Sequence, residues 1–315
     1  MNTIIFYHDD LDGLVSALGY AYNDYTKNHS DIPDYNKLKE EYFFYEVNYG
    51  IKNIFYNLKY QKIDLNSFKT VVILDYCFHR KTMIKFLEQF KNNMIWIDHH
   101  KNIMTEFSDL EINGLRDINN SAAVLVWKYF NKDAPLFSQY IEDMDIWLWQ
   151  LPDSRDILHY IDHLYMDISN KEKHSEIMNV FLKLFDNTTF KKNMEKYKEF
   201  GKIIDDYLKT KVIDDISTGK KLIFEGINTF IVNSQIKPGY VSEKIFNSDD
   251  YSDVELVIIW YRSYLSGITE KHFDKISLRS KNIDCSIIAK KYGGNGHPKA
   301  SGFVIDDISN LNEKI

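Results

Sequence analysis

Apolar residues along the chain fall into two kinds of run. TIIFY (3–7), residues 43–47, VVILDYCF (71–78) and MIWI (94–97) are short and crowded with bulky side chains. Unbroken runs of that length read as buried strands, being too short for free helices. Between them, apolar residues return every three or four positions. Leu14, Ala17, Leu18, Ala21, Tyr22 and Tyr25 predict a helix from Gly13 onward, and Met83, Phe86, Leu87 and Phe90 predict another. SAAVLVWKYF (121–130) predicts a third, with Ser121 as its cap. Strands alternating with helices imply an α/β fold built on a parallel, doubly wound sheet. From about 135 to 215 the pattern is helical almost throughout, and 190–210 reads as one long connecting helix. After Gly219 it changes again. KLIFEG, NTFIVN, DVELVIIWYR and KISLRS read as strands, the first two joined through Gly226 as a hairpin; DCSIIAKKY reads as a helix and GFVID as a last strand. The expected organisation is a parallel α/β domain over 1–189, a linker helix over 190–218, and a smaller mixed α/β domain over 219–315.

Composition narrows the partners. The 315 residues suffice for two domains with their own cores, and 44% apolar with 27% charged residues is ordinary for a soluble globular chain. A net charge of −7 argues against a broad basic surface for duplex DNA, while a small anion held by local charges or by metals is compatible with it. The only cysteines, Cys77 and Cys285, are far apart, as in a reducing compartment without a disulfide framework. No apolar run approaches the ~18 residues of a membrane span, and MNTIIFYHDD does not read as a secretion signal, so a cytoplasmic location is expected.

The chemistry gathers where the strands end. HDDLDG (8–13) follows the first strand and offers His8, Asp10 and Asp12; Asp75 ends the apolar part of VVILD; Asp98, His99 and His100 follow MIWI. Parallel strands put their carboxyl ends on one edge, so these three groups should converge. A fourth, EDMD (142–145), lies in a helical stretch and offers Asp143, with Asp145 in reserve. Each has an ordinary reading alone: Asp75 would serve as a helix cap, and EDMD as a solvated helix face. Together they make a demand, because several carboxylates in one cleft repel and cannot all stay ionised without cations. Carboxylate with imidazole suits manganese, iron or zinc, and a carboxylate shared by two ions is the usual device of metal-assisted phosphoryl hydrolysis. His8, Asp10, Asp12, Asp75, His99 and Asp143 form a set of the right size for two ions. DHL (162–164), with one histidine in a helix, reads as ordinary structure. GGNGHPKASGF (293–303) is a second feature: its glycines let backbone approach an anion, His297 and Lys299 offer donors, and Arg279 in KISLRS can fork onto a phosphate.

HDDLDG, LDYCF, IDHHK, EDMDIW and the terminal SLRSKNIDCSIIAKKYGGNGHPKASGF, in this order, resemble the DHH phosphoesterase superfamily in its DHHA1-bearing, oligoribonuclease-like branch. The resemblance implies a DHH domain and a DHHA1 domain across a cleft, and two manganese ions, with magnesium as a substitute. It implies that His8, Asp10 and Asp75 hold one ion and Asp12, Asp75, His99 and Asp143 the other, with Asp75 bridging. His100 would touch the substrate phosphate and Asp98 would orient a histidine. Arg279, Gly293, Gly294, Asn295, Gly296 and His297 would hold the substrate. Two positions depart from the usual pattern: His8 stands only two residues before Asp10, and Asn295 replaces a glycine of GGGGH. The expected activity is manganese-dependent hydrolysis of short oligonucleotides or small nucleotides, because the chain looks too short for the further binding domain of long single-strand exonucleases. Hydrolysis of 3′-phosphoadenosine 5′-phosphate, of cyclic mono- or dinucleotides, or of polyphosphate stays open, as does a non-catalytic nucleotide-binding module. The expected partners are the nucleotide substrate, neither duplex DNA nor a membrane, with a homodimer left open.

Overall fold

A computed structural model describes residues 1–48, 51, 53–166, 168, 170, 172–264 and 272–312. The chain forms two compact units, Met1–Ile204 and Asp205–Ile315.

The first unit is built on four parallel strands: β1 (Thr3–His8), β2 (Tyr42–Val47), β3 (Thr70–Leu74) and β4 (Met94–Ile97), in the order β2-β1-β3-β4. The alternation of side chains along a strand explains why the runs are apolar throughout. Ile5, Tyr7, Val72, Leu74 and Ile97 face one core, shared with helices Leu11–Asn28 and Ala122–Tyr129. Ile4, Phe6, Val71, Ile73, Met94 and Trp96 face the other, shared with helices Ile54–Tyr60 and Arg80–Phe90. The sheet is covered on both sides, and its carboxyl edge is where the polar motifs emerge.

Two details differ from the sequence reading. The strand expected over 71–78 ends at Leu74, because Asp75 turns into the left-handed region at φ 53. Aspartate tolerates that conformation better than bulky residues do. Helix Ala122–Tyr129 is not capped by the Ser121 side chain; its first amides, of Ala122 and Ala123, donate to the Asp12 carboxylate at 2.8 and 3.0 Å.

The expected connecting helix runs Asn187–Ser217 without a break. Tyr197 belongs to the core of the first unit, while Val212 and Ile216 belong to a core of the second. The second unit carries a six-stranded mixed sheet: β5 (Lys220–Phe224), β6 (Ile227–Asn233), β7 (Leu256–Tyr264), β8 (His272–Ser280), β9 (Asn295–His297) and β10 (Ala300–Ile305), ordered β5-β6-β7-β8-β10-β9. The β5–β6 hairpin turns at Glu225 and Gly226, both at positive φ. Helix Cys285–Lys291 packs on one face of the sheet and helix Pro238–Phe246 on the other. Among the described residues, no helix is long and apolar enough to cross a membrane.

Candidate metal centre

Four loops deliver the centre, and each has a local cause. After β1, Asp10 caps helix Leu11–Asn28, its carboxylate accepting the Gly13 amide at 2.9 Å. Gly13 is required by proximity: a Cβ there would lie 2.3 Å from the His8 carbonyl oxygen. The helix start is thereby folded against the strand end, and Asp12 on its first turn is buried. After β3 comes Asp75, 1% exposed, and after β4 come Asp98 and His99, also buried, and His100, half-buried. The fourth group stands at the end of helix Leu136–Asp145.

His8 Nδ1 lies 2.6 Å from Asp10 Oδ2 and 3.6 Å from Asp75 Oδ2. His99 Nε2 lies 3.2 Å from Asp75 Oδ1, 3.3 Å from Asp145 Oδ2 and 3.8 Å from Asp12 Oδ2. These contacts include two ligand-like clusters that together span all four groups, His8–Asp10–Asp75 and Asp12–His99–Asp145, each with ligand atoms within 4.8 Å of one another. Asp75 joins them, since its two oxygens point to different clusters.

The acidic member from the fourth group is Asp145, not the expected Asp143. The Asp143 carboxylate is buried, but it accepts the main-chain amides of Gln150 at 2.7 Å and Leu151 at 3.3 Å. Two residues apart on a helix, the two aspartates point about 200° apart, so only one can face the cluster. The sequence carries no local signal for the choice: EDMD is followed by the largely apolar IWLWQLP (146–152), and only the path of that loop decides which aspartate meets its amides.

Asp98 sits behind the clusters. Its Oδ1 lies 2.8 Å from His100 Nδ1 and accepts the amides of His99 and His100, while its Oδ2 accepts Trp96 Nε1 at 3.3 Å. Burial disfavours its charge, yet the His100 imidazole and these donors outweigh burial and hold the carboxyl below its usual range. The opposite holds for three ligand-like carboxylates. Burial, reinforced by Asp10 and Asp12, pushes Asp75 well above the ordinary value. Burial, reinforced by Asp12, does the same to Asp145, and burial raises Asp12. For His8, burial opposes the charge, but Asp10 and Asp75 prevail and lift the imidazole well above its usual value. Asp75 Oδ1 and Asp145 Oδ2 are buried and accept no hydrogen bond from the described residues. Buried carboxylate oxygens without donors, packed among other carboxylates, fit bound cations; the mixed oxygen and imidazole donor set fits manganese or a similar divalent ion.

In the second unit, Arg279 on β8 and His297 on β9 lie in register with Ala300 on β10, which runs between those strands. The small Ala300 thus separates an arginine and a histidine in one row on one face of the sheet. Arg279 is half-buried and its Nη1 donates to the Leu278 carbonyl at 2.9 Å. The expected glycine loop is a tight return: Gly293, at φ 79, ends helix Cys285–Lys291, and residues 295–297 pair with β10.

The fold, with its carboxylates and imidazoles at the carboxyl edge of a parallel sheet followed by a mixed-sheet unit, is similar to that of a solved DHH-domain protein and of RecJ. The DHH domain of a protein assigned to a family of ribosomal proteins aligns over 99% of this chain and 85% of its own, with a TM-score of 0.62 at 13% identity. RecJ from Thermus thermophilus, solved in complex with Mn2+, aligns over 99% of this chain and 50% of its own, with a TM-score of 0.50 at 12% identity. In sequence, the uncharacterized protein R106 of Acanthamoeba polyphaga mimivirus is 25% identical over 291 residues, 85% of this chain. The chain spans 63% of the length of that relative. No family profile matches the chain.

Proposed function

We propose that this protein is a manganese-dependent phosphoesterase that hydrolyses short oligonucleotides or small nucleotides with two metal ions. The observation that carries the reading is the Asp75 carboxylate, buried between two clusters with one oxygen towards each. His8, Asp10 and Asp75 would hold one ion; Asp12, Asp75, His99 and Asp145 would hold the other. Asp145 takes the place expected of Asp143. Ions bound there supply an activated water and neutralise charge on the phosphoryl group, and magnesium is the natural substitute.

The residues around the ions have their own work. The Asp98–His100 contact fixes the imidazole through Nδ1 and directs Nε2 away from Asp98, where the imidazolium form of His100 would donate to a phosphoryl oxygen. Trp96 Nε1 and two backbone amides hold Asp98 in place, so His100 keeps one orientation. Arg279, His297 and the 293–296 loop are the anion-contacting groups of the second unit; a guanidinium in the same row as an imidazole suits a terminal phosphate. The Mn2+ complex of RecJ supports manganese as the ion. A nucleotide-binding module without turnover would not need the carboxylate set kept complete.

The reading is tested by a panel of short RNA, short DNA, cyclic dinucleotides and polyphosphate, each incubated with manganese. Manganese-dependent cleavage of at least one short nucleotide substrate is expected. Inertness towards the whole panel at saturating manganese would overturn the reading.

A further inference from the structure

Immediately beyond Asp145 the chain makes a feature that ion binding does not require. Trp147 and Trp149 both adopt positive φ, 61° and 52°. Bulky residues rarely take that conformation, and it persists only where the surroundings impose it. Asp143 imposes it here. Its carboxylate holds the amides of Gln150 and Leu151, and its carbonyl oxygen accepts the amides of Leu148 at 2.9 Å and Trp149 at 3.1 Å. The Trp147 amide donates to the Met144 carbonyl at 3.1 Å. Five backbone amides in a row are therefore pinned to the end of one helix.

The outcome of this pinning is display. Trp147 is 55% exposed and Leu148 45% exposed. The Trp147 ring meets Trp149 edge-on, with centroids 5.2 Å apart, and the Arg155 guanidinium lies 4.8 Å over the Trp149 ring. The Trp147 indole is thus supported from below and open to solvent. A strained backbone that buries a side chain gains packing; one that exposes an indole gains none for the fold. Trp147 is two residues from Asp145, so their Cα atoms are within about 7 Å of each other. Asp145 itself lies beside His99 in the candidate metal centre.

We propose that Trp147, with Leu148 beside it, is a stacking platform for a nucleobase of the substrate. The inference rests on the phosphoester reading and deepens it by assigning the side chain that recognises the base. A phosphate held at the ions would carry its nucleoside past Asp145, two residues before Trp147. Stacking accepts any base, because every base has a π-face, so the platform selects nucleotides over polyphosphate or sugar phosphates without reading sequence.

The test compares two phosphate monoesters that differ only in the base. Adenosine 5′-monophosphate and ribose 5-phosphate are titrated calorimetrically into the manganese-loaded protein, its Trp147→Ala variant and its Trp147→Phe variant. The wild type should prefer the nucleotide by roughly 5- to 150-fold, the range that base–aromatic stacking contributes. Trp147→Ala should lose most of that preference with ribose 5-phosphate affinity unchanged, and Trp147→Phe should keep most of it. Equal affinities in the wild type, or a preference that survives Trp147→Ala intact, would overturn the platform while leaving the phosphoester reading in place. Binding of neither ligand at saturating manganese would overturn both.

Discussion

Asp143 and Asp145 stand two positions apart and carry the same group, yet the structure gives them opposite surroundings. Asp145 Oδ2 is a buried acceptor beside His99 with no donor among the described residues; Asp143 has donors for both oxygens. Asp145→Ala should therefore abolish manganese binding at one of the two sites and take turnover with it, with little change in folding of the metal-free protein. Asp143→Ala should instead remove the buried carboxylate that accepts the Gln150 and Leu151 amides, at a cost of about 1–3 kcal/mol in stability. Thermal melting and metal content of the two variants decide between these roles; metal loss in Asp143→Ala with none in Asp145→Ala would reverse them. A second pair separates ion binding from substrate contact. Asp75→Ala removes the group common to both clusters and should empty both sites. His100→Ala should keep its metal, because His100 contacts Asp98 at 2.8 Å and lies 3.9 Å from Asp75, while its rate falls by roughly two to four orders of magnitude, the usual span for a positioned donor or acid. Equal metal loss in both would mean that the roles of His99 and His100 are exchanged.

At the scale of elements, the strands of the first sheet were legible because a strand covered on both faces must be apolar at every position, as in Ile4 to Tyr7 and Val71 to Leu74. The convergence of His8, Asp75 and His99 followed from the parallel order alone. The helix contribution was not legible, because EDMD offers carboxylates on two faces and only the path of the chain after the helix decides which turns inward. The cap of helix Ala122–Tyr129 was misread for a related reason: Asp12, 110 residues earlier, reaches its amides, and no local pattern reports so distant a partner. In the second unit, the register of β8, β10 and β9 sets Arg279 and His297 about Ala300. If this row grips a terminal phosphate, Arg279→Ala should weaken apparent affinity for a dinucleotide by about 1.5–3 kcal/mol per charged hydrogen bond lost. Hydrolysis of bis-p-nitrophenyl phosphate should change little. Equal impairment on both substrates would assign Arg279 to the fold or to the metal centre instead.

For the molecule as a whole, the centre concentrates carboxylates that burial and mutual repulsion push towards neutrality. Cations relieve that repulsion, so manganese should stabilise the folded chain, by about 2.7 kcal/mol when free metal is a hundredfold above its dissociation constant. Differential scanning calorimetry with and without manganese should show the rise in melting temperature. Asp75→Asn should abolish the rise while melting no lower than the metal-free wild type, since it deletes a repelling charge and keeps the shape. A full rise in Asp75→Asn would show that the stabilising ions bind elsewhere. The central claim is that two ions joined by Asp75 act on a phosphodiester. It is tested most directly by stripping the protein of metal and titrating manganese back while recording hydrolysis of a dinucleotide. Hydrolysis should be absent at the start and should rise to a plateau as two equivalents of manganese bind. Full hydrolysis in the stripped protein, or a plateau reached with a single equivalent, would contradict it.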